Sequence, residues 1–199
     1  GLDVDDMALA AARARALDTT LIPRDSSDDE QAFAAVLAPN GVEFYFCEDS
    51  GGSDSWRREF GPPNSSSTTS SFLGIDHVAL RQPWRRVDEA TLFFRAVIGL
   101  AVDEGQDLAS QVGLVRSKSL TTTDRTVRLA LNVTPVGHNS EDTFSDHVAL
   151  SSDDIFETAA ECRARGLRAL DVPSNYYADL AGRYGLAPEL VARLSEYSI

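Results

Sequence analysis

The pentapeptide DHVAL occurs twice in this chain, at residues 76–80 and at residues 146–150, and each copy closes a short apolar run. The similarity continues beyond these five letters. When Leu150 is set against Leu2, acidic, alanine and arginine positions after the second copy align with those at the start of the chain. A repeat of this kind indicates several copies of one supersecondary unit. The counterpart of His147 would precede residue 1, so we expect the first copy to be truncated in its opening strand.

Each copy predicts a strand that leads into a helix. In the third copy the strand ends at Asp153 and Asp154, whose carboxylates can accept hydrogen bonds from the N–H groups of a helix start. Apolar residues then recur at helical spacing until a left-handed stop at Gly166. The middle copy carries RVDEATLFFRAVIGL at 86–100, which has the same periodicity and predicts an equivalent helix ending at Gly99.

Strand-like segments follow the first two helices. Residues 32–48 predict two strands with a turn at Asn40 and Gly41, and the second copy has GLVRSKSL at 113–120 and TVRLALNV at 126–133. A last helix is predicted at 187–197, with no strand-like run after it. The fold class predicted is therefore α+β, built from repeated βαβββ modules that are truncated at both ends.

Composition predicts the domain boundaries. Residues 49–73 are rich in Ser, Gly and Pro, which is typical of a linker. This linker would separate a partial first module at 1–48 from a two-module domain at 74–199. The two modules are predicted at 74–135 and 145–199, and we expect the latter to lack its last strands.

The charge balance excludes several classes of partner. The chain has 18 basic and 31 acidic residues, a formal net charge of -13, which repels nucleic-acid phosphates and anionic lipid. No apolar run approaches the roughly 20 residues that span a bilayer, and the start of the chain does not resemble a signal peptide, so we expect a cytoplasmic protein. Cys47 and Cys162 have no CxxC spacing, and we predict two buried free thiols without a functional role rather than a disulfide or a zinc site.

The repeated histidines are candidate metal ligands. Because side chains alternate along a strand, His77 shares one face with Ile75 and Ala79, while Val78 and Leu80 face the helix of their own module. The same alternation applies to His147. Two modules whose sheets curve together would bring both imidazoles into one cavity, and neutral imidazole is the commonest protein ligand for metals. The competing interpretation is that each histidine only satisfies a hydrogen bond at its strand. His138, in a polar stretch outside the repeat, is predicted to be solvated.

Several motifs resemble the vicinal oxygen chelate superfamily, and more closely the C-terminal half of 4-hydroxyphenylpyruvate dioxygenases. These enzymes share a DDIF helix start, an RARG ending, a proline and a YYDDL-like segment, which match 153–156, 163–166, Pro173 and YYADL at 176–180. The resemblance covers residues 74 to about 196 well and residues 1–48 more weakly. It implies glyoxalase/dioxygenase-like modules that form half-open barrels.

The resemblance also implies a non-haem Fe(II) site and a 2-oxo acid substrate. His77 and His147 would be iron ligands, with a glutamate beyond residue 199 as the third. Ser117 and Asn132 match substrate-binding positions, although a plain exposed strand serine and a strand-end asparagine are equally acceptable interpretations. Glu43 occupies the glutamate's place in the first module, but in the other lobe, and is predicted to be structural. No residue of this chain is predicted to be catalytic in its own right.

The chain also departs from the dioxygenase pattern. Asn132 is followed by Val133 and Thr134, where the enzymes have Glu and Pro, and FSDH replaces their glycine-rich approach to the second histidine. These features resemble the dioxygenase-like domain fused to 3-dehydroshikimate dehydratase. Two functions therefore remain: an Fe(II)-dependent dioxygenase of the 4-hydroxyphenylpyruvate dioxygenase type, or a degenerate module with a structural or regulatory role in a bifunctional dehydratase. The expected partner is a small 2-oxo acid or aromatic-pathway metabolite, and a homo-oligomer is compatible with either function.

Overall fold

The computed structural model describes residues 1–23, 33–48, 71–103, 105–110, 113–134 and 145–199. Most of the predicted linker and His138 lie outside these residues. The chain divides into two compact units, one formed by Gly1–Ser66 with Ile75–Ala149 and the other by Ser67–Gly74 with Leu150–Ile199. The first two predicted modules thus lie in the same compact unit. The domain boundaries drawn from composition stay a prediction.

The first module forms a four-stranded sheet around one helix. Its elements are β1 (Leu2–Asp3), α1 (Met7–Ala16), β2 (Leu21–Ile22), β3 (Ala34–Leu37) and β4 (Glu43–Cys47). The strand order is β1-β4-β3-β2, with β1 parallel to β4 and the other pairs antiparallel. The predicted turn at Asn40 and Gly41 joins β3 to β4, and Gly41 has a positive φ of 81°.

The second module repeats this arrangement. It consists of β5 (Phe72–Pro83), a 3-10 turn (Trp84–Arg86), α2 (Val87–Phe93), a π-helical turn (Phe94–Ile98), β6 (Ala101–Val102), β7 (Gln106–Ser110), β8 (Gly113–Thr121) and β9 (Arg128–Thr134). β5 pairs in parallel with β9, and β8 lies antiparallel to β9 on one side and to β6 and β7 on the other. In both modules the first strand lies beside the last strand, and the last strand lies beside the strand that precedes it in the chain. The predicted α+β repeat is therefore confirmed, and neither sheet closes into a barrel within the described residues.

The third copy contributes one strand and its helix to this pattern. β10 (Ser145–Ser152) lies beside β5 at the end of the second sheet. It leads into α3 (Ile155–Ala164), which is followed by α4 (Ser174–Tyr184) and α5 (Pro188–Tyr197). The helix predicted at 187–197 is confirmed, with Pro188 in its first turn where the missing N–H costs no hydrogen bond. None of these helices is long and apolar enough to cross a membrane, and the same holds wherever the structure describes a helix.

Acidic residues begin two of the helices, as the repeat predicts. Asp6 Oδ1 accepts a hydrogen bond from the Leu9 N–H at 2.8 Å, which caps α1. Asp154 Oδ1 accepts from the N–H groups of Phe156 and Glu157 at 2.9 and 3.0 Å, which caps α3. Each bond satisfies a backbone donor that has no acceptor within its own helix.

The Asp154 cap supports a prediction with a matched control one residue away. Replacing Asp154 with alanine should lower the free energy of unfolding by about 1 kcal/mol, because two N–H groups lose their acceptor. Asp153→Ala removes the same charge from an exposed residue that caps no helix and should change the stability by less than about 0.5 kcal/mol. Urea denaturation of the two variants measures the difference. Equal losses would contradict the assignment of the cap.

The two modules of the first unit share one hydrophobic core. The π-helical turn after α2 inserts Phe94, which is fully buried and meets Phe44 of β4 edge-on at a ring distance of 5.3 Å. Leu80, Leu120 and Leu131 from three adjacent strands are also buried in this core. The periodicity of this segment predicts a buried stripe of five residues, and four of them, Ala90, Phe93, Phe94 and Val97, are buried in this core. The fifth, Val87, is only half-buried.

The third copy differs from the second in how its apolar residues are covered. Leu80 of the second copy is buried and Val78 is half-buried, whereas their counterparts Val148 and Leu150 in the third copy are 52% and 48% exposed. In the second module, β9 lies parallel to β5 and its Leu129 and Leu131 complete the apolar layer. Among the described residues, β10 pairs with β5 alone and gains no such parallel strand.

Candidate metal centre

His77 and His147 lie on neighbouring strands and approach each other closely. His77 is in β5 and His147 is in β10, which are adjacent in the second sheet. Their Nε2 atoms are 3.1 Å apart, and the two rings meet edge-on with centroids 5.2 Å apart. The expectation that both histidines occupy the same kind of element and approach each other is confirmed. The structure therefore brings together the two candidate ligands, which are seventy residues apart in sequence.

The separation of the two Nε2 atoms fits a shared ion. Two imidazole nitrogens bound at about 2.1 Å to one divalent ion, at right angles to each other, lie about 3.0 Å apart. The two rings would therefore need little movement to bind one ion through Nε2. Without an ion, one of these nitrogens must donate its proton to the other, because two facing lone pairs would repel.

Asp76 holds the other side of the His77 ring. His77 Nδ1 lies 2.7 Å from Asp76 Oδ2, and Arg128 Nη1 donates to both carboxylate oxygens of Asp76 at 2.9 and 3.1 Å. The hydrogen bond from His77 first, and the positive charge of Arg128 second, hold the pKa of Asp76 below its ordinary value. Asp76 is therefore ionised at neutral pH and acts only as an acceptor.

Ser117 and Asn132 share a sheet face with His77. They are direct partners across the antiparallel pair of β8 and β9, and Asn132 is paired with Arg81 of β5. Leu129 and Leu131 of β9 face the core, so alternation places Asn132 on the opposite face, as it does His77. Asn132 is level with a residue four positions after His77, which corresponds to about 13 Å along the strand. Ser117 and Asn132 thus adjoin each other but lie well away from the imidazoles.

The described residues contain no complete metal site. No group of three or more His, Cys, Asp or Glu side chains within them is placed to hold an ion. Glu43 lies on β4 and accepts a hydrogen bond from the Tyr45 hydroxyl at 2.6 Å. Cys47 and Cys162 are free thiols, as predicted, and burial raises the pKa of Cys47. The predicted burial is wrong for Cys162, which is only half-buried.

Asp76 and Arg128 are site residues that sequence reasoning missed. One signal could have found Asp76, since an aspartate precedes the histidine in both DHVAL copies. Arg128 carries no such signal. It reaches Asp76 because β5 and β9 pair in parallel, with Val78 level with Leu129, and this register is not visible in the local pattern.

Comparisons with known proteins agree with the α+β fold. A family model described as Glyoxalase/Bleomycin resistance protein/Dioxygenase superfamily matches residues 74–183. A 3-dehydroshikimate dehydratase of Pseudomonas putida is 32% identical over 83% of this chain and 27% of its own length. A 4-hydroxyphenylpyruvate dioxygenase of Yarrowia lipolytica is 26% identical over 56% of this chain and 32% of its own length.

A solved structure extends the similarity to nearly the whole chain. A xylose isomerase-like TIM barrel/4-hydroxyphenylpyruvate dioxygenase fusion protein superposes with a TM-score of 0.74 and 29% identity, covering 98% of this chain and 32% of that protein. The chain therefore spans about a third or less of the length of each of these three proteins.

Proposed function

The chain belongs to the Glyoxalase/Bleomycin resistance protein/Dioxygenase superfamily, and we propose that it forms the metal-binding part of a dioxygenase of the 4-hydroxyphenylpyruvate dioxygenase type. The substrate would be a 2-oxo acid or a related aromatic-pathway metabolite. The observation that carries this proposal is the 3.1 Å separation of the His77 and His147 Nε2 atoms, which suits two ligands of one ion.

His77 and His147 would hold Fe(II) together with a carboxylate. Two histidines and one carboxylate on one face of a metal are the ligand set of many non-haem iron oxygenases. We propose that the carboxylate is a glutamate on a strand beyond residue 199 of the full-length protein, as the resemblance to 4-hydroxyphenylpyruvate dioxygenases implies. This proposal agrees with the open pairing edge of β10, where the second module has its parallel final strand.

The residues between the histidines and Asn132 would shape the substrate pocket. Ala79 of β5 and Ala130 of β9 are paired and lie on the face of His77, so the sheet carries small side chains between the imidazoles and Asn132. At the far end, the Ser117 hydroxyl and the Asn132 amide can bind a polar group of the substrate. The bound iron would supply electrons and open positions for substrate and oxygen. The chain's own residues would anchor the ion and orient the substrate along β9.

The charge and composition of the chain agree with a small-molecule enzyme of the cytoplasm. A net charge of -13 disfavours nucleic acid and anionic membranes as partners. A homo-oligomer is compatible with the proposal.

Oxygen uptake by the full-length protein tests the proposal. We expect uptake that requires both Fe(II) and a 2-oxo acid, with 4-hydroxyphenylpyruvate as the first substrate to try. Replacing Asn132 with alanine should raise the KM about tenfold, which corresponds to the loss of one hydrogen bond of about 1.4 kcal/mol. Asn175→Ala, an exposed change on α4, is the control and should leave the KM unchanged. Fully iron-loaded protein that takes up no oxygen with any aromatic 2-oxo acid would refute the dioxygenase function.

The second candidate is a non-catalytic module of a bifunctional 3-dehydroshikimate dehydratase. It is favoured by the Pseudomonas putida relative, whose similarity covers 83% of this chain. In this case the dehydratase reaction would take place in another part of the polypeptide. Full-length protein with dehydratase activity, no iron and no loss of function in a His77→Ala variant would support this candidate over the dioxygenase.

A further inference from the structure

We infer that Asp76, held by Arg128, is a positioning residue that fixes His77 as the Nδ1–H tautomer and thereby directs the lone pair of Nε2 toward His147. The inference deepens the proposed function. Use of the Nε2 lone pair as a metal ligand rests on that function. The tautomer itself is a property of the metal-free protein.

The hydrogen bonds around Asp76 determine where the proton of His77 lies. An ionised carboxylate can only accept, so the 2.7 Å contact requires the proton to be on His77 Nδ1. In a neutral imidazole the other nitrogen, Nε2, is then unprotonated and is the acceptor or metal ligand. The 3.1 Å contact is satisfied when His147 donates its Nε2–H to that lone pair. On binding an ion through Nε2, His147 would change tautomer, losing the proton on Nε2 and gaining one on Nδ1 by exchange with solvent, so that it stays neutral.

Arg128 keeps the carboxylate in place for this task. Its Nη1 atom donates to both oxygens of Asp76 from the neighbouring strand β9, which restricts rotation of the carboxylate. Arg128 lies on β9, which carries neither histidine. Its contact with Asp76 therefore connects His77 to a second strand of the sheet. Metal-bound histidines commonly donate their second N–H to a carboxylate, which orients the ring and strengthens the ligand.

The ion pair adds little to the stability of the fold. The side chains of Asp76 and Arg128 are 36% and 39% exposed, and pairs this accessible to water contribute little. A role in holding His77 explains the arrangement better than a role in folding. It also means that Asp76 can be replaced without unfolding the protein.

Nitrogen NMR of the metal-free chain tests the tautomer directly. Two-bond ¹H–¹⁵N spectra, assigned with His→Gln variants, should show a protonated Nδ1 and an unprotonated Nε2 for His77. Asp76→Ala should shift His77 toward the Nε2–H tautomer. Asp76→Asn, whose amide oxygen can still accept from Nδ1, should retain more of the original form. Asp88→Ala is the matched control, because Asp88 is a fully exposed acid on α2 whose ion pair is with Lys118 and not with a histidine.

Metal affinity provides the second measurement. In the full-length protein, Asp76→Ala should weaken the binding of Co(II), used as a stable substitute for Fe(II), on the order of 10-fold to 100-fold. Asp88→Ala should leave it unchanged. A wild-type His77 that is protonated on Nε2, or an Asp76→Ala variant with unchanged tautomer or unchanged Co(II) affinity, would overturn the inference. Wild-type protein that binds no Co(II), but whose His77 tautomer depends on Asp76, would refute the proposed metal function and leave the positioning by Asp76 established.

Discussion

Replacing His77 or His147 with alanine is expected to abolish Fe(II) binding by the full-length protein. Each change removes one of the two nitrogen ligands that lie 3.1 Å apart, and the remaining imidazole cannot hold a divalent ion against its hydration. The loss of affinity should exceed the roughly 10-fold to 100-fold typical of losing a residue that only supports a ligand. Anaerobic calorimetry with Fe(II), together with the iron content of purified protein, measures the effect.

The third histidine of the chain supplies the control. His138→Ala makes the same chemical change at a residue that the sequence places in a polar stretch outside the repeat. It should leave iron affinity unchanged. Iron binding that is indifferent to both His77→Ala and His147→Ala would exclude the site. Equal losses in all three variants would indicate adventitious binding to surface histidines.

Replacing Leu131 with alanine is expected to cause a large loss of stability. Leu131 is fully buried on β9, between Leu80 of β5 and the other core residues of the first unit. Removing its side chain loses the burial of the apolar groups and leaves a cavity, which typically costs 2–5 kcal/mol in the free energy of unfolding, or about 3 kcal/mol here. Urea denaturation monitored by far-UV circular dichroism measures the change.

Leu92→Ala makes the same substitution on the solvent side of α2. Leu92 is 66% exposed, and alanine is at least as good a helix former, so the stability should change by less than about 0.5 kcal/mol. A comparable loss in both variants would mean that the core does not lie between α2 and the sheet. The comparison thus checks which face of the sheet is buried. If Leu131 faces the core, its neighbour Asn132 faces the opposite side of the sheet, where His77 also lies.

Local sequence patterns were sufficient to predict those features whose determining residues all lie in one short segment. The acidic residues that cap α1 and α3, the left-handed Gly99 and Gly166, and the apolar stripe of α2 are each encoded within about fifteen consecutive residues. The repeat in the sequence also predicted the order of strands and helices in each module. The repeat does not extend to the burial of Val148 and Leu150, because burial depends on a neighbouring strand as well as on alternation.

The side chain of Asp76 shows another limit of local patterns. Alternation places Asp76 on the face opposite His77, yet its carboxylate contacts His77 Nδ1. Alternation describes the direction of the Cα–Cβ bond, whereas the position of a carboxylate also depends on side-chain torsion and on its partners. Arg128 provides that partner from fifty-two residues away.

The sequence by itself determined the α+β repeat and the equivalent positions of His77 and His147, since both follow from residues close to each other in the chain. Only the tertiary structure decided that the two Nε2 atoms lie in contact, that Arg128 donates hydrogen bonds to Asp76, and that Ser117 and Asn132 share one face of the sheet. These depend on which strands pair and in which register. Pairing and register are selected by burial of apolar residues in the whole unit, and no single segment contains that information.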